Sequence, residues 1–212
     1  MPAGQDQVRV TLMVPPIFSE EPIPLGMEGR ATIGGQEVVH SAVPADDMMQ
    51  AFAYKHLVPA QDLKVAIVDN FRFQGRPRDW ERGPGGQRRP YPEPMKLLGE
   101  QPVAIPVGGS TEVRVVGPPL GGGSAEVRVE LSDPPAGFSV KSVSRIDRGL
   151  AIVLSCDADK ARPGLKGNLI ANVFQVWTRT EKDGRTRTNR WLMAILPAIP
   201  FEVVKAPEPA RP

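Results

Sequence analysis

Proline and glycine punctuate this chain so densely that long helices have nowhere to form. Twenty-four prolines and 21 glycines stand among 212 residues, about a fifth of the sequence, against an ordinary usage near 12%. Proline removes a backbone donor and clashes with the preceding helical turn. Glycine costs about 1 kcal/mol relative to alanine inside a helix. Short strands joined by turns accommodate both.

The last hundred residues carry that pattern most clearly. Strands are predicted at 103–107, 112–116, 125–131, 138–145, 150–155, 168–178 and 186–196. Turn-formers separate them: Gly108-Gly109, the 118–123 stretch, Asp133-Pro134-Pro135, Asp147 to Gly149, Arg162-Pro163-Gly164 and Lys182-Asp183-Gly184. Seven strands with turns every ~8–12 residues are the spacing of an immunoglobulin-like sandwich, here over 97–205. A βαβ fold needs helices between its strands, and no helical pattern lies there. In Val113-Arg114-Val115 and Val127-Arg128-Val129 the valines should face one way and the arginines the other. Trp177 and Trp191 fall on facing strands around Asp183-Gly184 and are expected in or near the core.

The first 73 residues read as a partial β-sandwich module. Val8 to Val14 begins with apolar and polar residues in alternation, as a half-buried strand does. Gly34-Gly35 joins strands predicted at 25–33 and 36–43 as a two-residue hairpin. Asp46 and Asp47 then read as caps of a short helix over about 46–57, with Met48, Met49, Phe52, Ala53 and Leu57 near helical spacing. A buried strand follows at 63–68. The set is short for a complete sandwich and reads as the last strands of a domain whose beginning is missing. The expected fold class is therefore all-β: two immunoglobulin-like modules, the first truncated and carrying one short helix. Between them, 74–96 is rich in arginine, proline and glycine and reads as a linker. The tail, 206–212, reads as disordered.

The search for chemistry excludes more than it finds. The formal net charge of +2 is too small for the basic face that nucleic acid requires, so no such partner is expected. No apolar run reaches the ~20 residues of a membrane span. Met1 to Val10 lacks the pattern of a secretory signal. The lone cysteine, Cys156, permits neither an intrachain disulfide nor a cysteine-based zinc site and reads as a buried inert thiol. No Gly-x-Ser-x-Gly turn is present. The two histidines, His40 and His56, lie sixteen residues apart without metal-ligand spacing. His56 reads as a cation complementing the helix C-terminus. Asp157-Ala158-Asp159 has the clustered oxygens a hard cation wants, but no closing glutamate follows, and it reads as a solvated turn. The glycines at 121–123 lie between strands, so they read as a hairpin connection rather than a phosphate loop. No cofactor, metal or catalytic residue is expected.

One stretch suggests binding. Residues 72–90 hold Arg72, Arg76, Arg78, Arg82, Arg88 and Arg89, with Phe71, Phe73, Trp80 and Tyr91 within or beside them. Charge and stacking there suit an anionic polymer, and Trp80, Tyr91, Arg82, Arg88 and Arg89 are the candidate binding residues. The competing reading is a solvated linker, with Asp79 and Glu81 compensating part of the charge, and the balance favours it.

Three segments resemble known proteins. They are Ala42-Val-Pro-Ala-Asp-Asp-Met-Met-Gln-Ala-Phe-Ala-Tyr-Lys-His-Leu-Val-Pro-Ala60, Gly164-Leu-Lys-Gly-Asn-Leu-Ile170 and Leu196-Pro-Ala-Ile-Pro-Phe-Glu-Val-Val204. Together they resemble the C-terminal region of large secreted proteins of planctomycete-type bacteria, which carry pre-peptidase C-terminal β-sandwich modules beside immunoglobulin-like domains. The resemblance implies an exported parent, in the periplasm or outside the cell, and brings no catalytic residues. It implies a structural, adhesive or domain-spacing role, with other domains of the parent chain or a cell-surface protein or polysaccharide as partner. Two alternatives stand beside it. One is a carbohydrate-binding module with Trp80, Tyr91 or Trp177 as its platform. The other is an accessory domain of a secreted peptidase whose catalytic domain lies elsewhere.

Overall fold

The computed structural model describes residues 5–14, 21–50, 53–67, 95–117, 126–180 and 184–206. Among these no residue is helical, and strands dominate. The chain divides into two compact units. One comprises Val14–Pro90; the other joins Met1–Met13 to Tyr91–Pro212.

Among its described residues the Val14–Pro90 unit holds three separate two-stranded antiparallel ladders. Strand β1 (Ile23–Pro24) pairs with β6 (Lys64–Val65), β2 (Glu28–Ile33) with β3 (Gln36–Ser41), and β4 (Ala45–Gln50) with β5 (Tyr54–Pro59). The β2–β3 hairpin follows the sequence expectation. Ile33 pairs with Gln36, and Gly34 and Gly35 take φ of 59° and 81°. Two successive positive φ values are what a tight turn of the right twist needs, and glycine supplies them without steric cost.

The helix predicted over 46–57 does not form. Asp46 lies opposite Val58 and Met48 opposite His56 in the β4–β5 ladder. At the near ends of the two strands the Ala53 amide donates to the Gln50 carbonyl at 3.0 Å. Tyr54 and Val58 favour extended backbone, and cross-strand pairing outweighed the helical spacing of the methionines. The buried strand predicted over 63–68 is only Lys64–Val65 among the described residues, and neither residue is buried.

The second unit is a β-sandwich. One sheet has the order β11 (Phe138–Ile146), β12 (Gly149–Cys156), β9 (Ser110–Val116), β7 (Lys96–Leu98). The other runs β10 (Glu126–Ser132), β13 (Lys166–Thr180), β15 (Ile199–Val204), β8 (Val103–Pro106), with β14 (Thr186–Ile195) also on β13. All pairings are antiparallel except β15 with β8, which is parallel. All seven strands predicted after residue 100 are present, and β7 and β15 join them.

The core follows from alternation. Val113 and Val115 are buried while Arg114 turns outward to Glu112 at 2.8 Å. Val129 is buried while Arg128 meets Glu126 at 2.8 Å. From the facing sheet come Leu169, Ala171 and Val173 of β13 and Ile199, Phe201 and Val203 of β15. Phe138 and Phe201 meet across the sandwich with ring centroids 4.6 Å apart. Burying each large apolar side chain contributes about 1.5–3 kcal/mol. Pro200 sits within β15 at no ladder cost, because the β8 pairing begins only at Phe201. Gly149 opens β12 at φ 153°, where an added Cβ would overlap the Val115 carbonyl oxygen. No other residue fits that approach of β12 to β9.

The Val8–Val14 segment forms no ladder. Side-chain bonds tie it to the sandwich instead. The Arg9 guanidinium donates to the Ser132 carbonyl and pairs with Asp133 at 3.3 Å. The Asn168 amide donates to the Arg9 carbonyl at 2.8 Å, and the Ala198 N–H donates to Thr11 Oγ1 at 2.7 Å.

Candidate binding face on the β13–β14 ribbon

Strand β13 is fifteen residues long, far more than the core uses. Its ladder to β10 covers Ile170 to Val176. Strands β13 and β14 pair as a ribbon from Asn172 to Thr180, and beyond Val176 the described residues of it are two-stranded, Trp177 opposite Asn189, Thr178 opposite Thr188 and Arg179 opposite Arg187. The Thr178 and Thr188 hydroxyls lie 3.4 Å apart and tie the ribbon across its strands.

Register assigns each side chain to a face. Directly opposed residues share a side and alternate residues return to it. One face of the ribbon therefore carries Gln175, Trp177, Arg179, Arg187, Asn189 and Trp191. Trp177 and Trp191 are diagonal neighbours, 43% and 54% exposed. The position in or near the core expected for both is corrected: Trp191 lies on β14 at the open edge of the sheet and Trp177 beyond the described β10 ladder, and both are exposed.

The two faces differ electrostatically. On the reverse face Arg190 stacks 4.1 Å above the Phe174 ring and pairs with Glu130 at 3.2 Å. On the tryptophan face Arg179 and Arg187 oppose each other, and neither meets an acid among the described residues. Like charges directly opposed across a ladder are destabilising. At the inner end of this face Gln175 is only 6% exposed. It lies between Val127 and Trp191 in register, and its amide finds no hydrogen-bond partner among the described residues. Such a group costs about 1–3 kcal/mol if left unsatisfied.

Comparison with family models, with curated proteins and with solved structures finds no match.

The remaining sequence candidates do not converge. Trp80, Arg82, Arg88, Arg89 and Tyr91 lie outside the described residues, as do the glycines at 121–123. His40 and His56 are exposed on different ladders, opposite Gly29 and Met48. His56 ends no helix; its ring lies 5.9 Å from that of Tyr54. Asp46 and Asp47 cap no helix, and Asp47 pairs with Lys55 at 3.7 Å. Asp157 closes a turn on itself, its Oδ1 accepting from the Asp159 N–H at 3.0 Å. Cys156 ends β12 opposite Phe138 of the neighbouring β11 and is buried in the core, and burial raises its thiol pKa. Among the described residues no three histidine, cysteine, aspartate or glutamate side chains cluster to hold a metal.

Sequence reasoning placed both tryptophans on facing strands but missed their exposure. The available signal was length. An alternating segment from Lys166 to Thr180 exceeds the usual five or six residues of a strand, and its distal half turns to threonine and arginine.

Proposed function

We propose that this chain is a non-catalytic structural, adhesive or domain-spacing region of an exported bacterial protein, built on an immunoglobulin-like sandwich. The carrying observation is the strand order: β7, β9, β12 and β11 form one sheet, while β10, β13 and β15 form the other and β8 lies parallel along β15. That order corresponds to the ABED and CFG sheets of immunoglobulin-like domains. Modules of this kind present loops and ribbons on a rigid core. The resemblance to secreted multi-domain proteins supports export and supports other domains or a cell-surface polymer as partners.

The test is a panel of peptide, ester and glycoside substrates incubated with the purified chain. No turnover above buffer is expected. Turnover abolished by His40→Ala or His56→Ala overturns the reading. The exposed pair Trp177 and Trp191 on one face favours a second, compatible reading, that the adhesion is to carbohydrate.

A further inference from the structure

We infer that the tryptophan face of the β13–β14 ribbon binds an acidic polysaccharide, with sugar rings stacked on Trp177 and Trp191 and carboxylates held by Arg179 and Arg187. This deepens the adhesive reading and rests on it. Three independent features converge on one face. Two large aromatic surfaces lie diagonally across a ladder, half-exposed. Neighbouring positions on that diagonal are about 7–8 Å apart, within the reach of one or two pyranose rings. Two arginines face each other without an acid among the described residues. An anion between them converts a repulsive pair into charge-assisted hydrogen bonds. Finally, the Gln175 amide is 6% exposed and unpartnered among the described residues, at the inner margin of the same face. Hydroxyl groups are the partners such an amide lacks, and Asn189, opposite Trp177, offers a second amide.

The charge pattern selects the class of polymer. The chain carries a formal net charge of only +2. Nucleic acid binding draws on a broad basic footprint that neutralises many phosphates. Two arginines with two amides and two tryptophans suit a sparsely charged, hydroxyl-rich chain instead. The ribbon's reverse face lacks the pattern, since Arg190 is already held by Glu130 and Phe174.

Titration calorimetry of the full chain with hexagalacturonate, maltohexaose and a single-stranded oligodeoxythymidine tests this. Saturable binding to hexagalacturonate is expected, weaker binding to maltohexaose, and the weakest to the oligonucleotide. Trp177→Ala and Trp191→Ala should each weaken hexagalacturonate binding about tenfold or more, the scale of an aromatic hot spot. The double variant Arg179→Gln/Arg187→Gln should lower hexagalacturonate affinity by a similar factor and leave maltohexaose unchanged. Gln175→Leu should weaken both sugars. The tryptophan and arginine variants should keep the wild-type urea midpoint within a few tenths of molar, Gln175→Leu should keep or raise it because it removes a buried unpartnered amide, and Arg114→Gln serves as a distant control. Absence of saturable acidic-sugar binding, affinity untouched by the ribbon variants, or tighter binding to the oligonucleotide overturns the inference. None of those results bears on the non-catalytic reading, which falls only on turnover in the substrate panel.

Discussion

Substituting Gly149 by alanine should break the sandwich where β9, β11 and β12 meet. Gly149 pairs with Val116 on one side and Ile146 on the other. A Cβ there overlaps the Val115 carbonyl oxygen and comes within 2.9 Å of Val115 C and Val116 Cα. All three are backbone atoms, so no side chain can swing away. Strand β12 must lift from β9, which loosens the bond between the Gly117 amide and the Arg148 carbonyl, now 3.0 Å. Two ladder hydrogen bonds at about 1 kcal/mol each, with about 1–3 kcal/mol of backbone strain, give a loss of about 3–5 kcal/mol. The control is Gly164→Ala. Gly164 also has positive φ, 89°, but a methyl group added there would meet nothing within 4 Å. It should lose only the strain of the left-handed region, about 1–2 kcal/mol. Urea unfolding followed by far-ultraviolet circular dichroism measures both. With a slope of about 2 kcal/mol/M, Gly149→Ala should lower the midpoint by roughly 2 M and Gly164→Ala by under about 1 M. Equal losses for the two would refute the steric reasoning.

Three further outcomes are expected. Phe201→Ala removes the ring that meets Phe138 across the core and should cost about 3–5 kcal/mol by the same urea assay; a loss under about 1 kcal/mol would place Phe201 outside the core. Burial raises the Cys156 thiol pKa above its ordinary 9.0, so the folded state holds that proton more tightly than the unfolded chain. The associated stability is fully present below pH 9 and is lost as pH rises through the folded value. Urea midpoints between about pH 7 and 10.5 should therefore fall more steeply for the wild type than for Cys156→Ala, and parallel curves would contradict this. Thr11→Val removes the acceptor of the Ala198 amide and should cost about 1 kcal/mol, with faster proteolytic nicking of the 5–14 segment as a second readout.

What could be read from the sequence tracks how local the deciding physics is. The Gly34-Gly35 hairpin was legible because its turn is specified by two adjacent residues. The inward valines and outward arginines of β9 and β10 were legible because alternation is a property of the strand itself. The β4–β5 hairpin was not. Met48, Met49 and Leu57 fit helical spacing, and only pairing between Ala45–Gln50 and Tyr54–Pro59 decides otherwise. Strand β15 escaped because Pro200 interrupts it, and its tolerance depends on where the β8 ladder starts. The ribbon face was half legible. Facing strands put the tryptophans together, but their exposure depends on which strands flank β13 and β14, and those come from different stretches of chain.

The parallel ladder between β8 and β15 has a mechanical consequence. Val103 pairs with Phe201 and Pro106 with Val204, both strands running the same way. The chain enters this ladder at one end and leaves it at the other. Tension applied between those points slides the strands past each other along a common axis. The bonds then carry load together, whereas a hairpin pulled from its open end opens them one after another. Forced unfolding is governed by the unfolding rate rather than by equilibrium stability. A sandwich threaded in this way is expected to resist being drawn out even where its folding free energy is ordinary.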